Sequence, residues 1–266
     1  MIIFLRELKR NRKAFIIWTV ALVLFNVMMM SFFRSITGDV QKLDELVKSY
    51  PEGILKIFGM DRLSMSDVLG YFGTEAYVII TLLGSIYAML LGSGIISKEE
   101  SDKTIEFLLA KPVTRTRIVT SKALCVLFYV ITFNIIFSVS NFIMFEVVKT
   151  ADYDLTGFLL VSIGPLLLSL TFAAIGLMIS VFITKSKTVY PLSIGIVIGA
   201  YALNVIASIS DKTEKLKYFT PFKYVESANL IIDKNIETVY LIIMACIIVF
   251  STVATYVIYN KKDITV

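Results

Sequence analysis

The chain has 266 residues, of which 57% are hydrophobic, and its mean hydropathy is +0.80. These values exclude an ordinary water-soluble domain, and the absence of histidine excludes Ser-His-Asp catalysis, imidazole zinc sites and histidine proton relays. The two cysteines indicate no disulfide framework, and the net charge of +5 is better explained by membrane topology than by a nucleic-acid partner.

Six long apolar runs without lysine, arginine or aspartate follow one another along the chain. A helix of roughly 20 such residues crosses the hydrocarbon core of a bilayer. The runs cover residues 14–33, 75–96, 123–147, 158–183, 189–209 and 239–259. We therefore predict an all-α, polytopic membrane protein with one transmembrane domain over residues 1–266. We expect the first run to stay as a span, because it is too long for a signal peptide and has no small-residue cleavage site.

The distribution of lysine and arginine sets the predicted orientation. With the N-terminus inside, the inner segments hold 15 of these residues in 51 positions, and the outer segments hold 11 in 80. Inner loops carry the excess of positive charge in membrane proteins. The sequence therefore predicts a multi-pass protein of the cell membrane with both termini in the cytoplasm.

Three segments outside the apolar runs are predicted to be structured. Ile2–Lys13 mixes apolar and basic residues, which suits a helix lying in the inner interface before the first span, with a flexible basic anchor as the alternative. Arg34–Thr74 predicts two short amphipathic helices, one over residues 40–47 and one after Pro51. Ser210–Thr238 is rich in aromatic residues, which favour the headgroup region.

The inner segment 97–122 is the most specific stretch of the sequence. Ser97 and Glu100 have the spacing of a capping box, Pro112 stops a helix, and Thr114 suits the cap of a second helix. Ile105, Leu108 and Leu109 form an apolar stripe. A helical elbow between two rigid spans suits the transmission of a push, and its stripe needs a partner surface. A solvated charged loop is the alternative.

This segment resembles the signature that follows the second span in type-2 ABC transporter permeases: an acidic pair, Gly-Thr, Leu-Leu, Pro-Val-Ser-Arg and a basic residue. The resemblance extends over most of the chain and is closest to permeases of the nitrous-oxide accessory, bacitracin-resistance and amphipathic-peptide export systems. Lys103 stands where the family usually has glycine. The matching residues are Glu99, Glu100, Thr104, Glu106, Leu108, Leu109, Pro112, Val113, Arg115, Ile118 and Lys122.

The resemblance implies that segment 97–122 is a coupling helix that docks on a separate ATPase and drives an exporter. Its expected ATPase-coupling residues are Glu99, Glu100, Thr104, Glu106, Leu108, Leu109, Pro112, Arg115, Arg117 and Lys122. The chain has no Gly-x-x-x-x-Gly-Lys-Ser/Thr loop. We therefore expect no enzyme and no cofactor in this chain, with ATP and Mg²⁺ on the partner. The run Gly92-Ser93-Gly94 lies within the second apolar run, and it predicts a close contact between helices instead of a phosphate-binding loop.

The partners implied by the resemblance are a dimer of ABC ATPase subunits, a second permease (identical or homologous) and membrane lipid. Similarity to peptide exporters points to an amphipathic or antimicrobial peptide as substrate. The alternative function is an ion-coupled secondary transporter, which needs buried charges near mid-membrane. An intramembrane enzyme would need an acid at mid-depth, and the runs contain none there.

Four polar residues within the runs are candidates for lining a pathway: Glu75, Glu146, Asn26 and Asn134. Ionisable groups inside a membrane mark functional sites by default. For the two glutamates, which lie near the outer ends of their runs, contact with interfacial water is the alternative. For the two asparagines, hydrogen bonding between helices is the alternative.

Overall fold

The computed structural model describes residues 2–37, 47, 49–102, 113–183, 185–209 and 211–262. All regular structure in these ranges is helical. Six helical segments are long and apolar enough to cross a membrane: Ile3–Ile36, Val68–Ser101, Arg115–Val148, Leu155–Phe182, Lys187–Ile209 and Thr238–Lys261. Each coincides with a predicted run, so the predicted all-α polytopic fold is confirmed.

The helices that build these spans often extend beyond the apolar runs. They are Ile2–Ser31 with Phe33–Ile36, Val68–Tyr71 with Tyr77–Ser101, Arg115–Val148, Leu155–Phe182, Ser186–Ile209 and Thr238–Lys261. A π-turn, Phe72–Ala76, joins the two parts of the second span. The segments between spans contain the helices Glu52–Phe58 and Pro221–Tyr224, the 3-10 helix Asp211–Phe219 and the π-turn Asn229–Asp233.

The second and fourth spans form the centre of the bundle. The second span has 72% of its apolar window buried, against 17% for the fifth and sixth spans. A Cβ on Gly92 would overlap the carbonyl oxygen of Ala173, and a Cβ on Gly176 would lie 2.5 Å from that of Met89. Small residues let membrane helices approach this closely, so the predicted helix contact at Gly92-Ser93-Gly94 is confirmed.

The other four spans surround this central pair. The first span packs mainly on the third, the fifth on the second, and the sixth on the fourth. One buried cluster includes Phe72, Phe145 and Phe158, and a second, toward segment 97–122, includes Tyr87 and Tyr129. The arrangement leaves large apolar faces of the outer spans exposed for lipid or for another chain.

The N-terminal segment differs from the prediction of a separate interfacial helix, because it is continuous with the first span. No glycine or proline lies within Ile2–Ser31, so this stretch forms a single uninterrupted helix. Glu7 and Asn11 are buried, and the Tyr129 hydroxyl of the third span donates to the Leu8 carbonyl. The segment therefore packs on the bundle through its polar residues as well as its apolar ones.

The second helix predicted in segment 34–74 is present as Glu52–Phe58. It begins directly after Pro51 and ends at Gly59, whose φ of 69° is in the left-handed region that favours glycine at a helix end. Of the first predicted helix, over residues 40–47, all but Val47 lies outside the described residues.

The aromatic segment before the sixth span folds back into the bundle. The Phe222 and Phe172 rings contact each other with their centroids 5.5 Å apart. The Tyr224 and Tyr240 rings are stacked with their centroids 4.6 Å apart. Phe219 stays 74% exposed. Part of this segment therefore belongs to the core, while Phe219 faces outward. Contact of this segment with lipid headgroups stays a prediction.

Candidate functional site: the basic end of the bundle

The span ends next to segment 97–122 form what we call the basic end of the bundle. Its centre is Lys122, which is fully buried. The Lys122 Nζ lies 3.0 Å from the Glu99 carboxylate and 3.2 Å from the Glu7 carboxylate, and it donates to the Ile95 carbonyl at 2.5 Å. We call Glu7, Glu99 and Lys122 the buried triad.

Each member of the buried triad comes from a different span. Glu7 lies on the first span, Glu99 near the end of the second, and Lys122 two turns into the third. Burying a charge is expensive unless it is paired and hydrogen-bonded. The triad therefore joins the two ends of segment 97–122 to each other and to the first span.

Asn11 supports the triad from one turn further along the first span. Its side-chain amide donates to the Glu7 carbonyl at 3.0 Å and to the Glu7 carboxylate at 3.4 Å. Both residues are at most 5% exposed. The spacing of four residues places them on one helix face, so the amide holds the carboxylate in the direction of Lys122.

A second ionic contact joins the second span to the end of the chain. The Lys262 Nζ lies 2.8 and 2.7 Å from the two Glu100 carboxylate oxygens, and it donates to the Val181 carbonyl at 3.0 Å. Val181 lies in the last turn of the fourth span. Lys262, which directly follows the sixth span, thereby links the second, fourth and sixth spans.

Arg115 binds the last turn of the sixth span. Its guanidinium donates to the carbonyls of Tyr259, Asn260 and Lys262 at 3.3, 3.2 and 2.6 Å. The last carbonyls of a helix lack partners within the helix and carry partial negative charge. Arg115 therefore caps the sixth span instead of projecting into solvent.

The two helix ends that flank segment 97–122 test its predicted caps. Thr114 accepts a hydrogen bond from the Arg117 N–H and caps the third span, which confirms that prediction. The capping box at Ser97 and Glu100 is wrong, because the second-span helix continues through Ser101. The Ser97 hydroxyl instead donates to the Ser93 carbonyl at 2.7 Å.

The predicted coupling residues separate into three groups. Glu99, Glu100, Arg115 and Lys122 make the contacts described above, and Arg117 is exposed. Thr104, Glu106, Leu108, Leu109 and Pro112 lie outside the described residues. The structure thus brings together residues from the two ends of the segment, whereas the apolar stripe lies outside the described residues.

The four candidates for lining a pathway make separate local contacts and do not form one cluster through the hydrogen bonds described. The Asn26 amide donates to the Asn141 side chain at 3.2 Å between the first and third spans, and the Asn134 amide donates to the Val130 carbonyl of its own helix at 2.9 Å. Glu75 is half-buried on the π-turn of the second span.

Glu146 lies at the surface where the third span ends. It pairs with Lys149 at 3.0 Å and accepts from the Tyr153 hydroxyl at 2.9 Å. These contacts are those of an exposed carboxylate, in agreement with the alternative of contact with interfacial water.

The sequence analysis missed Glu7 and Asn11. Glu7 is the single acidic residue among the basic residues of segment 1–13. A lone acid on the apolar side of such a segment is the signal that would have suggested an inward partner, although not which one.

Comparison with known proteins extends these observations. The sequence model of the ABC-2 family transporter proteins matches residues 1–264, almost the whole chain. No curated protein matches the chain. Members of this family act with an ATPase, which fits a helical membrane chain that carries no phosphate-binding loop of its own. The chain therefore belongs to the ABC-2 transporter family and is a multi-pass, membrane-spanning permease subunit of an ABC transporter.

Proposed function

We propose that the chain is the permease of an ATP-driven exporter and that separate ATPase subunits dock on segment 97–122. The observation that carries the proposal is the buried triad. Glu99 and Lys122 lie near the two ends of this segment and contact each other at 3.0 Å. Because Glu7 joins the same ammonium group at 3.2 Å, a force on the segment acts on three spans at once.

The predicted coupling residues have two roles in this proposal. Leu108, Leu109 and Arg117 provide contacts to the ATPase, together with Thr104, Glu106 and Pro112 of the same elbow. Glu99, Glu100, Arg115 and Lys122 act inside the permease, where their ion pairs and helix-capping bonds transmit the displacement to the spans.

The working unit in this proposal contains two permeases and two ATPase subunits. Residues 1–266 form one transmembrane domain, and both termini lie in the cytoplasm with segment 97–122. The exposed apolar faces of the fifth and sixth spans, with 17% of their windows buried, offer the area that a second permease or lipid would cover. ATP and Mg²⁺ bind the ATPase chains.

The substrate we propose is an amphipathic or antimicrobial peptide, on the basis of the resemblance to peptide exporters. Exposed apolar surfaces between spans suit a cargo that partitions into the bilayer. Glu75, Glu146, Asn26 and Asn134 are the residues proposed to line its pathway. Glu75 is the first of these to test, because its carboxylate is half-buried inside a span.

Co-purification of the permease with its ATPase tests the docking surface. We expect Leu109→Glu to release the ATPase, because a charge buried in an apolar contact costs about 3 kcal/mol or more, or about 100-fold in affinity. Leu109→Met, which keeps an apolar side chain, is the matched control and should retain the ATPase. Arg117→Glu should weaken binding less, since an exposed ion pair contributes under about 1 kcal/mol.

The measurement is the ATPase-to-permease ratio after purification in detergent, together with substrate-stimulated ATP hydrolysis. If Leu109→Glu keeps the wild-type ratio and normal stimulation, segment 97–122 is not the docking surface. The short segment 184–188 between the fourth and fifth spans then becomes the candidate.

A further inference from the structure

A charged cavity of about 360 Å³ lies at the end of the bundle opposite segment 97–122. We call it the vestibule. It lies between the end of the fifth span, the start of the sixth span, the segment that joins these two spans, and the segment that precedes the second span. Its charged lining consists of four basic and three acidic residues: Lys56, Arg62, Lys217, Lys223, Asp61, Glu226 and Glu237. Both signs of charge are present, so the cavity suits a ligand that carries both.

The rim of the vestibule is held by a chain of polar contacts. The Lys223 Nζ lies 2.7 Å from the Glu226 carboxylate. The Asn229 amide donates to the same carboxylate at 3.5 Å, and the Arg62 guanidinium donates to the Asn229 side-chain oxygen at 2.6 Å. Arg62 also pairs with Asp233 at 2.9 Å. These bonds connect segments far apart in the sequence and fix the charged groups in place before a ligand arrives.

A smaller pocket of about 30 Å³ adjoins the vestibule and shares Gly59 and Glu226 with it. The rings of Tyr77, Tyr201 and Phe222 form its walls. Among the residues that the structure describes, the buried Asn204 side-chain oxygen in this pocket has no hydrogen-bond partner. A volume of this size is about that of one water molecule, and an ammonium group is of similar size.

Apolar side chains flank the same opening. Ile209, at the end of the fifth span, is 50% exposed. Phe219, at the end of the 3-10 helix that comes after this span, is 74% exposed. Ala207 and Ser208 of the same helix turn line the vestibule. A charged cavity with exposed apolar residues at its mouth has the two surfaces that a phospholipid headgroup and its acyl chains require.

We propose that the vestibule binds the headgroup of a phospholipid that carries a primary ammonium group. The ammonium donates to the Asn204 oxygen beside the Glu226 carboxylate, among aromatic rings that favour a cation. The phosphate lies at the level of Lys223 and Lys56, and the acyl chains follow the exposed face of the fifth span. A trimethylammonium headgroup has no N–H to donate and exceeds the small pocket.

Native mass spectrometry of the purified full chain, without any ATPase, tests this site. The probes are phosphatidylethanolamine and phosphatidylcholine with identical acyl chains. We expect the wild-type chain to retain the ethanolamine lipid about tenfold better, the effect of one charge-assisted hydrogen bond. Asn204→Leu should bring the two lipids to equal retention. Asn260→Leu, a matched change at the opposite end of the bundle beside Thr116, should keep the preference.

Asn204→Asp keeps the shape of the side chain and adds a negative charge, so this variant should increase the ethanolamine preference, and it tests the site even if Asn204→Leu fails to fold. Soluble phosphoethanolamine should displace the ethanolamine lipid, because the headgroup is the recognised part. Equal retention of the two lipids by the wild-type chain would overturn the proposal. So would a preference unaffected by both Asn204 variants, or binding of an amine-bearing peptide that neither lipid displaces.

Discussion

Lys122 and Glu99 form a 3.0 Å ion pair between the third and second spans, and their side chains are 0% and 4% exposed. The pair closes the base of the segment that we propose to dock on the ATPase. A buried ion pair is weak evidence for stability in itself, because desolvation offsets the attraction. Removing one partner of such a pair strongly destabilises a protein, because it leaves an uncompensated charge in a buried site.

The buried triad predicts a specific pattern of stabilities. Lys122→Met leaves the Glu7 and Glu99 carboxylates without their cation, and we expect a loss of about 3 kcal/mol or more in the free energy of unfolding. Combining it with Glu7→Gln and Glu99→Gln removes the stranded charges and should recover much of the loss. Lys149→Met, at an exposed pair, is the control and should change stability little.

These differences are measured by heating the detergent-solubilised permease and using size-exclusion chromatography to quantify the folded fraction that remains at each temperature. A melting temperature of Lys122→Met equal to that of Lys149→Met would show that Lys122 is not held in a buried site.

The two cap predictions show why part of the basic end followed from the sequence and part did not. The Thr114 cap is local, since acceptor and donor are three residues apart, and it was predicted correctly. The Ser97 cap assumed that a helix ends with its apolar run, whereas the second span continues to Ser101. The Lys122–Glu7 contact joins residues 115 positions apart, and no local pattern specifies such a pairing.

The six spans and the helix contact at Gly92 were predictable from the sequence because each depends on local composition and not on long-range pairing. Each span is specified by its own apolar composition, without reference to the rest of the chain. Gly92 was identified because small residues in a span have few other uses than close packing. Its contact partners, Ala173 and Leu177 on the fourth span, became known only from the fold.

The glycines of the spans give a matched test of helix packing. We expect Gly92→Ala to destabilise the permease by about 1–3 kcal/mol, the usual effect of overpacking, because its methyl group would overlap the backbone of Ala173. Gly195→Ala places the same methyl group in open space. That change should be neutral or stabilising, since alanine favours a helix by up to about 1 kcal/mol over glycine.

The same unfolding assay compares these glycine variants. A Gly92→Ala variant as stable as Gly195→Ala would mean that the second and fourth spans are further apart than described.

The start of the fourth span carries a pH-dependent contribution to stability. The Gly157 N–H and the Lys234 ammonium group hold the pKa of the Asp154 carboxyl below its usual range. A lowered folded-state pKa stabilises the protein above the unfolded-state pKa, and the contribution is lost as the pH falls through the folded-state pKa. Asp154→Asn keeps the helix cap but removes the charge.

We therefore expect the wild type to melt above Asp154→Asn at about pH 7 and the difference to be smaller at about pH 3, below the usual pKa of an aspartate carboxyl. Asp152→Asn changes a fully exposed neighbour and should have little effect at either pH. A difference for Asp154→Asn that is the same at both pH values would argue against a role for the charge.

The proposed orientation predicts which side of the membrane each end of the bundle faces. Cysteines introduced at Ser64 and Ser101, both exposed, lie at opposite ends. In a background without Cys125 and Cys246, an impermeant thiol reagent should label Ser64→Cys in intact cells and leave Ser101→Cys unlabelled. After permeabilisation both should react. Labelling of Ser101→Cys in intact cells would show that the topology is the reverse of the one proposed and that segment 97–122 cannot contact a cytoplasmic ATPase.

Photo-crosslinking in living cells tests the central claim most directly. A photoreactive amino acid at Leu109 should crosslink the permease to a chain that mass spectrometry identifies as an ABC ATPase by its Gly-x-x-x-x-Gly-Lys-Ser/Thr loop. The same amino acid at Ser64, at the opposite end of the bundle, should give no such product. Crosslinks from Leu109 to lipid or to the permease alone, with the ATPase present, would contradict the account.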